Sequence, residues 1–189
     1  MRLLLKDVRL AFPSLWKATA VKPGDVPAFG ASFILPKNHK QLPELRAAIK
    51  KVADEKWGTK GAPMLKALEA ADKTCLHNGD SKAEYEGYEG NLFVPTRSKV
   101  RPTVFDQQRQ ELSEADGKPY SGCYVNASIE LWAQENQWGK RINAQLRGVQ
   151  FLRDGDAFAG GSRPADADEF PDEIGVGDES SAEADDLTA

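Results

Sequence analysis

The 189-residue sequence has only two cysteines, two histidines and two methionines, and no apolar run nears the ~20 residues a membrane-spanning helix needs. Leu3-Leu4-Leu5 is broken by Lys6, Asp7 and Arg9, too soon for a signal-peptide core. Cys75 and Cys123 are too few for a disulfide framework in a chain able to build its own core, so a reducing compartment is expected. Cys75, His77, Cys123 and His39 match no common zinc-ligand spacing. No phosphate-binding loop, dinucleotide fingerprint, nucleophile elbow or HExxH helix occurs, and no repeat runs at a solenoid period. Asp80, Glu84, Glu86, Glu89 and Asp106 are acids without a signature magnesium-binding pair. The expectation is a soluble, non-catalytic protein with no metal and no cofactor.

What the chain has is a divided charge. The formal net charge is −4, but residues 154–189 carry 12 acidic residues against one basic, Arg163, a net of −11. Residues 1–153 therefore hold 24 basic and 17 acidic residues, or +7. A basic body with an acidic tail points to a polyanionic partner and to a tail that competes with it or recruits something else.

Leu3 to Phe12 reads as a strand ending at Pro13, and Phe29 to Leu35 as its partner, closed by Pro36. Between Pro43 and Trp57 the residues Leu45, Ala48, Ile49, Val52 and Ala53 recur at helical spacing, and Pro63 to Lys73 reads as a second helix. Asn78 to Asn91 is a glycine-rich loop bearing Tyr85 and Tyr88. Leu92–Thr96 and Val100–Phe105 follow as short strands, and a polar excursion leads to Pro119. The cleanest alternation is Cys123 to Ala133, with Cys123, Val125, Ala127, Ile129 and Leu131 on one face and Tyr124, Asn126, Ser128, Glu130 and Trp132 on the other. A hairpin loop over 135–140 leads to a return strand whose phase shifts at Gly148, the mark of a β-bulge. The fold class is mainly β with a helical insertion (α+β) over about 43–73, as an OB-fold-like Greek-key barrel of curved antiparallel strands over residues 1–153. From 154 to 189 there is too little apolar surface to offset ordering entropy, and a disordered tail is expected.

A basic body with interleaved aromatics suits an unpaired nucleic-acid strand, whose phosphates need cations and whose bases need flat apolar faces. Candidate cations are Lys82, Arg97, Lys99, Arg101, Lys140 and Arg141, and candidate stacking faces are Tyr85, Tyr88, Tyr124, Trp132 and Trp138. Trp16 and Trp57 read as packing residues. In the tail, Asp178, Glu179, Glu183, Asp185, Asp186 and Leu187 gather acid around one apolar residue, suited to occupying the basic groove or a basic pocket on a partner.

Four linked motifs carry a resemblance. These are Asn78-Gly79-Asp80-x-Lys82 with Tyr85-x-Gly87-Tyr88-x-Gly90; Lys99-x-Arg101-Pro102-x-Val104-x-Asp106; Tyr120 to Ala127; and Gln145-Leu146-x-Gly148-Val149-Gln150-Phe151. In this order they resemble bacteriophage single-stranded-DNA-binding proteins with an OB fold and an acidic C-terminal tail. The resemblance spans about residues 1–160. It implies non-catalytic, largely sequence-independent binding of single-stranded DNA in phage replication, recombination or repair, in the cytoplasm of an infected bacterial cell. It also implies that the tail contacts replication proteins. The alternatives from other classes are a metal-dependent nuclease using the acids named above and an interaction module acting through its tail. Oligomeric state stays open, a dimer included.

Overall fold

The computed structural model describes residues 1–158. In chain order its main elements are β1 (Arg2–Thr19), β2 (Ala28–Pro36), α1 (Leu42–Trp57), α2 (Gly61–Ala70), β3 (His77–Asn78), β4 (Asn91–Ser98), β5 (Thr103–Phe105), β6 (Tyr124–Asn136) and β7 (Gly139–Arg153). β6 is the strand with the cleanest alternation in sequence, and Val125, Ala127, Ile129 and Leu131 on its inner face are all fully buried. It pairs antiparallel with β7 on one side and with β1 on the other. β1 pairs with β2 and β2 with β4, again antiparallel.

Closure comes from a contact that the sequence did not announce. β4 meets β7 in parallel at Arg97 and Gln145, which joins β1, β2, β4, β7 and β6 into a five-stranded barrel. β5 also runs parallel to β7. The strands of the OB-fold barrel are thus mainly antiparallel, with parallel contacts where β7 meets β4 and β5.

The interior and the helices share one core. Leu45, Ala48, Ile49, Val52 and Ala53 of α1 and Leu68 of α2 are buried in the same cluster as the inner residues of the strands. That is the stripe the helical spacing predicted, although α2 begins and ends earlier than the 63–73 reading. Burying such side chains contributes about 1.5–3 kcal/mol each for Leu and Ile, which is why the insertion is held to the barrel. Cys75 and Cys123 lie in this cluster too, and burial pushes both thiols up to about 12. Among the described residues no helix is long and apolar enough to cross a membrane.

Three local differences follow from backbone chemistry. β1 does not stop at Pro13: the missing amide falls in the gap between the Ala11 and Ser14 pairings with β2, so no ladder bond is lost, and Phe12 beside it adopts φ 48°. The hairpin between β6 and β7 is tighter than the 135–140 loop, since Asn136 pairs with Gly139 and only Gln137 and Trp138 turn. Farther along the same ladder, away from the turn, Ser128 pairs with Gly148 but Ile129 with Leu146, so Arg147 is the extra residue of a bulge beside the glycine that marked it. A side chain on Gly148 would come within 2.8 Å of Thr103 Oγ1, so the glycine also lets β5 lie against β7.

The chain does not lose its placement at Arg153. Residues 154–158 lie along the barrel, ending at Phe158, which is buried with Ala11, Ile34, Tyr88 and Phe93 in a second, smaller cluster. The physical reason is that Phe158 finds an apolar seat that local composition does not reveal. Asp178, Glu179, Glu183, Asp185, Asp186 and Leu187 lie outside the described residues.

Candidate nucleic-acid interface

On the outer face of β2 and β4, Gly30 stands opposite Arg97 and Ser32 opposite Pro95, so β2 presents small residues there. A β-carbon on Gly30 would lie 2.3 Å from the Thr96 carbonyl, so the strands approach closely and the face is left low. Three clefts open on this side, and Arg97 lines all of them.

The first cleft, about 330 Å³, is bounded by Phe12, Phe29, Lys82, Tyr85, Pro95 and Arg97. Phe12 is 57% exposed, an unusual state for a phenylalanine on a barrel strand. Its ring stands edge-on to Tyr85 at 5.1 Å and lies 6.1 Å from Tyr88. The second cleft, about 340 Å³, lies between Val26 and Pro27 of the β1–β2 loop and Lys99, Trp132 and Gln145. Arg97 donates through Nη2 to the Val26 carbonyl at 3.0 Å and so ties that loop to the barrel. The third cleft, about 360 Å³, holds Lys73, His77, Trp132, Arg141 and Asn143. Trp132, 43% exposed, stands between the second and third. A path from Phe12 across Arg97 to Trp132 thus alternates ring faces with cations, the pattern needed to hold bases by stacking and phosphates by charge.

The sequence candidates divide on this map. Lys82, Tyr85, Arg97, Lys99, Trp132 and Arg141 come together along the clefts. Tyr88 lines the first cleft but is only 2% exposed, packed against Phe93 at 4.9 Å, and burial raises its hydroxyl above the ordinary tyrosine range. It supports the wall and presents no free face, because the glycine-rich loop folds back on the barrel. Tyr124 lies apart from this path: the Arg153 guanidinium sits 3.6 Å from its ring centroid, and the ring lines none of the three clefts. Arg101 lies over the Trp16 ring at 5.2 Å, and Lys140 pairs with Glu135 at 3.1 Å, so both engage the protein itself. Trp138, 80% exposed at the hairpin tip, stands apart from the clefts. Phe12, Phe29, Lys73 and His77 also line the clefts and are not among the sequence candidates. Phe12 had one signal, an aromatic directly before the proline that interrupts its strand.

The loop 79–91 is held by a carboxylate. Asp80 accepts the Gly90 N–H at 2.7 Å through Oδ1 and the Lys37 ammonium at 3.0 Å through Oδ2. These bonds, the Gly90 amide first, hold its carboxyl below the ordinary value. A lowered folded-state value means that the tie is present above the ordinary carboxylate range and is lost as pH falls through the lowered value. The Gly90 amide resonance is therefore expected to titrate with a midpoint below that of an ordinary aspartate, and Asp80→Asn to remove that titration. Asp106 is also engaged, accepting the Gln108 and Gln110 amides at 2.8 Å. Among the described residues no group of three or more His, Cys, Asp or Glu side chains is placed to hold a metal ion.

A five-stranded OB barrel whose open face carries cations between exposed rings defines a nucleic-acid-binding class of protein. Within that class the chain belongs to the family of the Enterobacter phage Enc34 ssDNA-binding protein, whose model it matches over residues 1–185. It is 45% identical over 175 residues to protein p50 of Acyrthosiphon pisum secondary endosymbiont phage 1, covering 91% of this chain and 94% of that one. The solved structure of the Enc34 single-stranded DNA-binding protein in complex with ssDNA is similar at 28% identity and a TM-score of 0.63, over 84% of this chain and 89% of that one. The single-stranded DNA-binding protein gp2.5 of bacteriophage T7 shares the fold, with a TM-score of 0.56 at 12% identity over 91% of this chain and 98% of that one.

Proposed function

We propose that this protein binds single-stranded DNA without catalysis and largely without regard to sequence, along the clefts that meet at Arg97. The observation that carries the reading is the exposed Phe12, Tyr85 and Trp132 set between Lys82, Arg97, Lys99 and Arg141 on the β2–β4 side. Stacking is worth about 1–3 kcal/mol per base and serves every base alike, since each has a π-face. Phosphate neutralisation releases counterions and makes affinity fall with salt. Lining the path with backbone, rings and flexible cations gives no fixed donor and acceptor code, so one site serves a whole genome.

Such a protein acts in phage DNA replication, recombination or repair inside the infected bacterial cell, where exposed strands need cover. The acidic segment supplies the second part of the proposal. Residues 159–189 carry ten acids and one basic residue, net −9, and follow in sequence on Phe158, which packs on Tyr88 of the first cleft's wall. A polyanion tethered there competes with DNA for the same cations and presents its acids to replication proteins when DNA displaces it. A chain ending at Phe158 is expected to bind oligonucleotides about tenfold more tightly at low salt than the full chain, with the gap closing as salt rises. Equal affinities in fluorescence titrations at low salt would count against competition.

The nuclease alternative is separated by incubating labelled single strands with Mg²⁺ or Mn²⁺. Intact DNA with saturable binding is the expected result; metal-dependent cleavage would favour the other class.

A further inference from the structure

Residues 154–158 form a strap across the outside of the barrel that the DNA path itself does not use. The Tyr120 hydroxyl donates to Asp154 Oδ1 at 2.8 Å, and the Phe158 amide donates to the Ser121 carbonyl at 3.1 Å. Arg9 grips both sides, donating through Nε to the Gly122 carbonyl at 3.0 Å and through Nη2 to the Asp156 carbonyl at 2.8 Å. Its guanidinium lies 4.3 Å from the centroid of the Phe158 ring. Two glycines leave room for this contact. A side chain on Gly122 would meet the Asp156 carbonyl at 2.2 Å, and one on Gly87 would meet Phe158 Cζ at 2.6 Å.

Gly87 belongs to the loop that carries Tyr85 and Tyr88. That loop is built of turns, with short-range bonds from the Tyr85 amide to Lys82 and from the Tyr88 amide to Tyr85. Turns of this kind hold a loop weakly without packing beneath them. Phe158 supplies packing: it is 5% exposed and shares a cluster with Ile34, Phe93 and Tyr88. Tyr88 in turn lies 6.0 Å from Tyr85 and 6.1 Å from Phe12, the rings that face the first cleft.

We infer that Phe158 is a positioning residue for DNA binding, a buttress set by the strap beneath loop 79–91 that fixes Tyr85 and Phe12 toward the cleft. The inference rests on the reading of that cleft as the DNA site. Rings already held in place do not have to be ordered when a base arrives, so a loosened loop binds more weakly even with every contacting residue present. It also divides the C-terminal segment into two parts of opposite effect, a supporting strap through Phe158 and the acidic residues after it.

The test uses two full-length variants, F158A and F158L, each followed by amide hydrogen exchange without DNA and by oligonucleotide titration. F158A is expected to exchange faster at Tyr85, Tyr88 and Asn91 while β6 stays protected, and to bind about tenfold more weakly, the equivalent of one lost stack. F158L, which keeps the apolar bulk, is expected to stay within about threefold of the parent. Unchanged loop exchange in F158A overturns the inference, as does faster exchange with unchanged affinity. Loss of β6 protection in F158A would also overturn it, making Phe158 a core residue of the barrel instead. A parent chain that fails to bind single strands would overturn the reading of the cleft, while the exchange measurement would still report whether Phe158 holds the loop.

Discussion

Replacing Phe12, Tyr85 and Trp132 together with alanine is expected to weaken binding to single strands on the order of a thousandfold, at three stacks of roughly 1–3 kcal/mol each. The single substitutions should not simply add. Phe12 and Tyr85 touch edge-on at 5.1 Å, so removing one changes how the other is held, and the pair is expected to act as one unit. Trp132 stands on β6 across Arg97 from them and should contribute independently. All three rings are more than two-fifths exposed, so the fold should survive: Phe12 57%, Trp132 43% and Tyr85 42%. Unchanged thermal unfolding with lost binding is the expected combination in circular dichroism and anisotropy measurements. A triple variant that binds as the parent does would place the stacking face elsewhere, with Trp138 the first ring to examine.

The second large effect concerns charge at the point where the clefts meet. Arg97→Glu exchanges a cation for an anion at the one residue that lines all three, and it also removes the bond to the Val26 carbonyl that ties down the β1–β2 loop. Affinity is expected to drop roughly a hundredfold at low salt, from a lost phosphate contact and new repulsion toward its neighbours. Arg97→Lys separates the two contributions: it keeps the charge but not the planar, forked donor geometry, so it should recover most of the salt-dependent part. Lys140→Glu serves as the contrast. Lys140 is paired with Glu135 and lines none of the three clefts, so its reversal should leave affinity within about threefold.

How far the sequence reached can be judged from such residues. The alternation of β6 and the stripe of α1 were legible because each element carries its own period, and burial on one side selects the residue types directly. Pairing of β1 with β2 was legible for a similar reason, as two adjacent apolar runs bounded by prolines. Closure of the barrel through Arg97 and Gln145 was not, since a parallel contact between strands far apart in the chain leaves no local pattern. The same holds for the candidate site. Residue type indicated which side chains suit DNA, and six of the eleven candidates converge on the clefts as exposed side chains, with Tyr88 a buried seventh. It did not show which cations are already engaged, as Arg101 is over Trp16, or which rings the fold covers, as it covers Tyr88 with loop and strap. Phe158 falls within the 154–189 segment whose composition predicts disorder, and its seat is not legible there because its partners Ala11, Ile34 and Tyr88 come from three separate segments.

The net charge of −4 would by itself argue against a polyanion as ligand. Its division between a basic barrel and an acidic end reverses that expectation, and it makes salt the variable that separates the contributions. Stacking hardly responds to ionic strength, whereas phosphate contacts and competition by the acidic segment both do.

The most direct test of the central claim is a titration of the full chain with fluorescent oligonucleotides, single-stranded and duplex, across a range of salt. If about four of the cations along the clefts meet phosphates, the logarithm of the single-strand affinity should fall with the logarithm of salt at a slope of roughly −3, and tryptophan emission should be quenched as Trp132 stacks. Single strands should bind more tightly than duplex, whose bases offer the rings nothing to stack on. A single-strand affinity indifferent to salt, or a duplex bound equally well with no change in tryptophan emission, would contradict a binding face built on Phe12, Tyr85, Arg97 and Trp132.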